Sequence, residues 1–285
     1  MNALVKARGL HKAYGDNVAL DRVDFQIEEG QIVGLIGPNG AGKTTALKAI
    51  LGLTDFDGEL EVLGKNPKRN RATIMQDVCF IADVAVLPRW LKVKDAIDFV
   101  ADTHPKFDRA KCEEFLSRTK IKRNSKVGAL SKGMVVQLHL ALVMAIDAKL
   151  LVLDEPTLGL DILYRKEFYA SLLSDYFDES RTILVTTHQV EEIEKILTRL
   201  MFIRDGNIIL DESMDQVGED FTEVLVKPEN ADRAKSMNPI HERDVFGKKL
   251  FLFEGVSRDA LRELGELHTP SVADLFVAKM KGDRE

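Results

Sequence analysis

A chain of 285 residues, 45% hydrophobic and 30% charged, has the make-up of a globular protein long enough for one large domain plus a small one. Its net charge of -6 argues against a nucleic-acid partner, since neutralising phosphates takes clustered Lys and Arg. The longest apolar stretch, 135–146, holds Gln137 and His139 and is closed by Asp147 and Lys149, too interrupted to span a bilayer; the N-terminus lacks the apolar block of a secretory signal; and Cys79 and Cys112, without metal-type spacing, read as structural thiols of a reduced cytoplasmic protein.

In chain order, the apolar patch 4–7 and the alternation of Val23, Phe25 and Ile27 with polar neighbours predict antiparallel strands. A further apolar strand, 32–36, runs into GPNGAGKTT, residues 37–45. Gly37, Gly40 and Gly42 let the backbone take positive φ and turn its N–H groups inward between Pro38, Asn39 and Ala41, while the helix after the loop adds partial positive charge at its N-terminus. That is the chemistry of a phosphate-binding loop: Lys43 reaches the β- and γ-phosphates, and the Thr44 hydroxyl, followed by Thr45, ligates Mg²⁺. Gly52 is placed to stop the helix, and short strands come next near 59–63 and 78–82.

The middle, about 95–145, has helical periodicity with Ile97, Val100, Phe115 and Leu116 as buried positions. Within it, LSKGM (130–134) offers Ser131, Lys132 and Gly133 at a helix start, a second anion-binding end that is a weak signal alone. Buried strands over 150–153 and 182–186 flank a helix near 164–176, an alternation that implies a mostly parallel sheet covered on both faces. Asp154 and Glu155 close the first of these strands at the edge where open sheets bind ligands. Asp154 can hold Mg²⁺ and Glu155 can polarise water, although two acids ending a strand also suit a helix cap. His188 closes the second strand at the same edge, within reach of a γ-phosphate. Asp205-Gly206 predicts a hairpin between 200–204 and 207–210. Beyond about residue 221 short strands at 223–226 and 249–253 mix with helices near 231–237 and 257–264, and Ser271 with Asp274 opens a last helix bearing Leu275, Phe276 and Met280.

The order of these motifs over roughly 1–215 resembles the nucleotide-binding subunit of ATP-binding-cassette (ABC) transporters. GPNGAGKTT looks like Walker A, LSKGM like the family signature, LLVLDEP like Walker B with its catalytic glutamate, LGLD (158–161) like the D-loop and His188 like the switch histidine. The resemblance implies a P-loop α/β fold of the ABC ATPase type over 1–218, with an antiparallel β subdomain and a helical subdomain at about 84–146, and a small α+β appendage at 219–285. It places Tyr14 against adenine, Asp161 at the nucleotide, and Asp83, where the family carries the Q-loop glutamine, at the Mg²⁺. Three departures stand out: Lys132 and Met134 replace glycine and glutamine of the usual LSGGQ, Asp83 replaces the glutamine, and Val135 and Val136 replace basic residues. Lysine in the signature resembles a subset of bacterial ABC-2-type export ATPases.

The same resemblance implies an ATPase that uses ATP and Mg²⁺ and is peripheral on the inner face of the cell membrane. By that likeness two copies sandwich ATP head to tail, with Ser131 and Gly133 of one facing the Walker A loop of the other, and a separate permease docks near 83–90, where Trp90 is either exposed or locally buried. Two alternatives remain: a soluble ABC ATPase, as in cluster assembly, and a weakly hydrolytic regulatory module.

Overall fold

The computed structural model describes residues 3–82, 87–158, 162–245 and 247–281. β1 (Ala3–Tyr14) and β2 (Asn17–Glu28) form a hairpin, β3 (Ile32–Ile36) leads into the glycine loop and α1 (Lys43–Ile50), and β4 (Asp57–Val62) returns to pair with β1. The three-stranded sheet β2-β1-β4 is antiparallel, as the alternation of Val23, Phe25 and Ile27 requires, and all three of these side chains are buried. Gly52 takes φ 63° just beyond α1, ending it as its sequence position suggested.

α2 (Pro67–Ile74) precedes β5 (Val78–Ile81), and three helices come after it: α3 (Val93–Thr103), α4 (Arg109–Ser117) and α5 (Lys132–Met144). These three enclose a core of their own, in which Ile97, Cys112, Leu116 and Leu138 are buried while Val100 and Phe115 pack at its margin. Asp108 caps α4 by accepting from the Lys111 N–H at 3.1 Å. Trp90, just before α3, is 72% exposed, which decides between the two states the sequence left open for it.

β6 (Leu150–Asp154), α6 (Ile162–Ser171), β7 (Thr182–Thr187), α7 (Val190–Ile193), β8 (Arg199–Arg204) and β9 (Asn207–Ser213) complete the main sheet. Its order is β5-β6-β7-β3-β8-β9, parallel except for β9. Every residue of β3, β6 and β7 is buried, the burial expected of parallel strands covered on both faces. The order puts the C-terminal ends of β3, β6 and β7 side by side, which brings three motifs far apart in sequence to one edge. At the hairpin, Asp205 (φ 48°) and Gly206 (φ 77°) are both left-handed, the geometry their dipeptide signals.

After α8 (Met214–Asp220) come β10 (Phe221–Val226), α9 (Ala231–Ser236), β11 (His241–Val245), β12 (Lys248–Glu254), α10 (Arg258–Arg262), β13 (Gly265–His268) and α11 (Val272–Lys281). The four strands form a separate antiparallel sheet, β11-β12-β10-β13. One face buries Val224, Phe251, Phe253 and Leu261 in a local core. Its other contacts run to the larger unit: Phe221, Leu252, Val272 and Leu275 belong to the same buried cluster as Leu200 and Phe202 of β8. Ser271 accepts from the Asp274 N–H at 3.0 Å at the start of α11, and the carboxylate of Glu194 accepts from the Val272 N–H at 3.0 Å, tying the helix to the segment after α7.

Burial raises the Cys79 and Cys112 thiols to about 12, so both side chains behave as small apolar core groups.

Candidate nucleotide site

A cleft of about 520 Å³ opens at the shared edge of β3, β6 and β7, lined by Tyr14, Asn39, Gly40, Gly42, Lys43, Thr44, Thr45, Asp154, Glu155 and His188. Asn17, Ala19 and Leu158 line it too. Sequence reasoning did not select Asn17 or Ala19 and reached Leu158 only as the first residue of the LGLD motif; the β1–β2 turn just after Tyr14 was the available signal for Asn17.

The loop keeps its shape because its glycines are sterically obligatory. Gly42 has φ 112°, and a Cβ there would lie 2.4 Å from the Ala19 carbonyl oxygen. At Gly37 a Cβ would meet the Ile203 carbonyl oxygen at 2.3 Å. Gly40 is also left-handed, at φ 86°, and Pro38 accepts from the Ala41 N–H at 3.1 Å to close the turn. Lys43 is buried and folded back into this loop, donating to the carbonyls of Gly37 (2.6 Å) and Pro38 (3.2 Å). Burial lowers its ammonium pKa, and the neighbouring Glu155 carboxylate, 3.7 Å away, opposes that shift together with Asp154.

Asp154 is buried at the end of β6 and is held from both sides. Thr186 of β7 donates to its Oδ1 at 2.6 Å, and Thr44 of α1 donates to its Oδ2 at 3.0 Å. A hydroxyl and a carboxylate in contact are hard oxygen donors, the set that suits Mg²⁺ completed by phosphate oxygens and water. Asp83 lies outside the described residues. Among the described residues no cluster of three or more His, Cys, Asp or Glu is placed to hold a metal ion.

Glu155 sits at φ 47°, a strained position for a side-chain-bearing residue, fixed by its N–H donating to the Thr186 carbonyl at 3.0 Å. The strain turns its carboxylate into the cleft, where His188 Nδ1 lies 3.0 Å and 2.9 Å from its two oxygens. Tyr14 is half-exposed at the rim, with Lys12 Nζ 4.9 Å from its ring centroid and its hydroxyl 3.5 Å from Thr54 Oγ1. The Thr54 hydrogen bond lowers the phenol pKa, with Thr45, Lys12 and Lys48 acting in the same direction.

Ser131, Lys132 and Gly133 are not part of this cleft. Ser131 is the N-cap of α5, accepting from the Met134 N–H at 3.2 Å, and it and Lys132 are exposed. Gly133 departs from the expectation that it faces outward. It is buried, and a Cβ there would lie 2.7 Å from the ring of Tyr164 at the start of α6. The missing side chain is what lets that ring lie against the helix backbone. Asp161 lies outside the described residues.

A family profile described as ABC transporter matches residues 20–158. The chain is 29% identical to ABC transporter ATP-binding protein YtrB of Bacillus subtilis over 99% of both chains. It is 33% identical to Nod factor export ATP-binding protein I of Cupriavidus metallidurans over 89% of this chain and 87% of that protein. A solved ATP binding subunit of an ABC transporter superposes with a TM-score of 0.67 at 24% identity, covering 76% of this chain and 92% of the other, and shares the fold. The chain therefore belongs to the ATP-binding proteins of ABC transporters and is an ATPase of that family.

Proposed function

We propose that this protein is the ATP-hydrolysing subunit of a two-component exporter, working as a head-to-tail homodimer beneath a separate membrane-spanning permease. The observation that carries the reading is the contact of Glu155 with His188 beside the buried Asp154, which accepts a hydrogen bond from Thr44. Glu155 accepts a proton from the water that attacks the γ-phosphorus, the bond to the departing ADP oxygen breaks, and His188 holds the carboxylate in line. Lys43 leaves the Gly37 and Pro38 carbonyls for the β- and γ-phosphates, while the loop amides from Gly37 to Thr45 cradle them and Tyr14 stacks on adenine. Thr44 and Asp154, with Asp83, hold Mg²⁺, which offsets charge on the phosphate oxygens.

Ser131, Lys132, Gly133 and Asp161 of a second copy close the site. The Lys132 and Gly133 N–H groups belong to the first turn of α5, where no intrahelical acceptor exists, so an anion completes them. Neither half alone neutralises a triphosphate, so closure follows ATP and opening follows hydrolysis. Residues 1–218 form the motor and 219–285 an accessory unit. Among the described residues no helix is long and apolar enough to cross a membrane, and exposed Trp90 marks where the permease docks from the inner face. Export as the direction draws on Lys132 and on the Nod factor export relative.

Hydrolysis of ATP with Mg²⁺ by the purified protein, measured beside Glu155→Gln, tests the assignment. The variant should lose at least about a hundredfold in kcat while still binding ATP. An unchanged rate removes Glu155 as the base.

A further inference from the structure

Glu155 directly follows β6 and His188 directly follows β7, each at the start of a segment leaving the sheet. The described contacts below them form a second polar network. Thr157, two residues after Glu155 and buried, donates to Glu192 Oε2 at 3.3 Å and lies 3.5 Å from the Tyr169 hydroxyl. Gln189, next to His188, receives a hydrogen bond from Arg165. The same Arg165 nitrogen donates to Glu192 Oε1, an ion pair in which both side chains are only 22% exposed.

We infer that the Arg165–Glu192 pair is a positioning strut for hydrolysis, holding Glu155 through Thr157 and His188 through Gln189 in one geometry. The inference rests on the catalytic reading of Glu155 and His188. Neither Arg165 nor Glu192 lines the nucleotide cleft, so the pair acts through the residues it holds. Arg165 stands on α6 and Glu192 on α7, so the pair joins the two helices that come after the two catalytic strands. The one carboxylate takes Thr157 on one oxygen and the guanidinium on the other, which fixes its position and with it the spacing of the two segments. The strained φ of Glu155 makes such a hold necessary, because a backbone in that region persists only where its surroundings over-determine it.

A displacement of the order of 1 Å at a reacting group costs about a hundredfold in rate while leaving ground-state binding intact. The test is steady-state hydrolysis and separately measured Mg-ATP binding for Arg165→Ala, Glu192→Ala and the double variant, with Gln189→Met as a fourth. The strut predicts that each alanine variant loses roughly tenfold to a hundredfold in kcat with KM and ATP affinity within about twofold of the parent, and that the double variant is no slower than the worse single. Gln189→Met, which leaves the ion pair intact, should lose about fivefold or more in kcat by freeing His188 alone. Loss of kcat and ATP binding in parallel, additive losses in the double variant, or native kcat in Gln189→Met overturns the inference. Glu155→Gln run alongside separates the two claims: if it stays fully active the catalytic reading falls, and if it is dead while the strut variants are native only the strut falls.

Discussion

The phosphate-binding loop depends on glycine at points where backbone carbonyls crowd it. Gly42→Ala would drive a Cβ to within 2.4 Å of the Ala19 carbonyl oxygen at a φ of 112°. Urea unfolding should therefore show a loss of about 2 kcal/mol or more, and fluorescent nucleotide binding should disappear. His139 gives the pH dependence. Its Nε2 is buried with no hydrogen-bond partner among the described residues, and burial lowers the imidazole from 6.5 to about 4. The unfolded chain then binds a proton that the folded chain refuses between these values, so stability falls as pH drops from about 6.5 to 4, by at most about 3 kcal/mol from this group. Denaturation curves at pH 5 and 7.5 should show that slope, and His139→Leu should flatten it.

The placement of several candidate residues was legible in the sequence. Lys43, Thr44, Asp154, Glu155 and His188 meet in one cleft as their positions at strand ends implied. Gly133 was not readable in the same way, because its burial depends on Tyr164, a contact between α5 and α6 that no local pattern encodes.

Among the elements, periodicity served where one face is buried. The apolar run 150–153 gave β6 to within its last residue, Asp154, and the alternation of β2 gave its buried face. It failed for β11, whose sequence HERDV has no buried position and is a strand only because β12 pairs with it at the sheet edge. It failed also for β13, four residues held by β10. The last helix, α11, packs into the main buried cluster. Leu275 is fully buried in the main cluster, and Phe276 meets Phe202 edge to face at 5.2 Å. Leu275→Ala should lower unfolding stability by about 2–5 kcal/mol, and calorimetry should register it as a fall in the main transition. A separate, small transition with the main one untouched would show that α11 belongs to an independent appendage.

At the scale of the whole molecule, the proposed dimer makes this cleft one half of a shared nucleotide site. The cleft supplies the loop amides, Lys43 and the carboxylates from one side, while Ser131 and Lys132 stand exposed elsewhere on the surface, away from their own subunit's cleft. In the proposed dimer a second copy in reversed orientation would bring the two together. The central claim therefore concerns oligomeric state and its dependence on the γ-phosphate. The most direct measurement is the mass of Glu155→Gln by light scattering with Mg-ATP, with Mg-ADP, and with Mg-ATP after adding Ser131→Arg. The account predicts a dimer with ATP and monomers in the other two cases, whereas a monomer with ATP, or a dimer indifferent to Ser131→Arg, would contradict it.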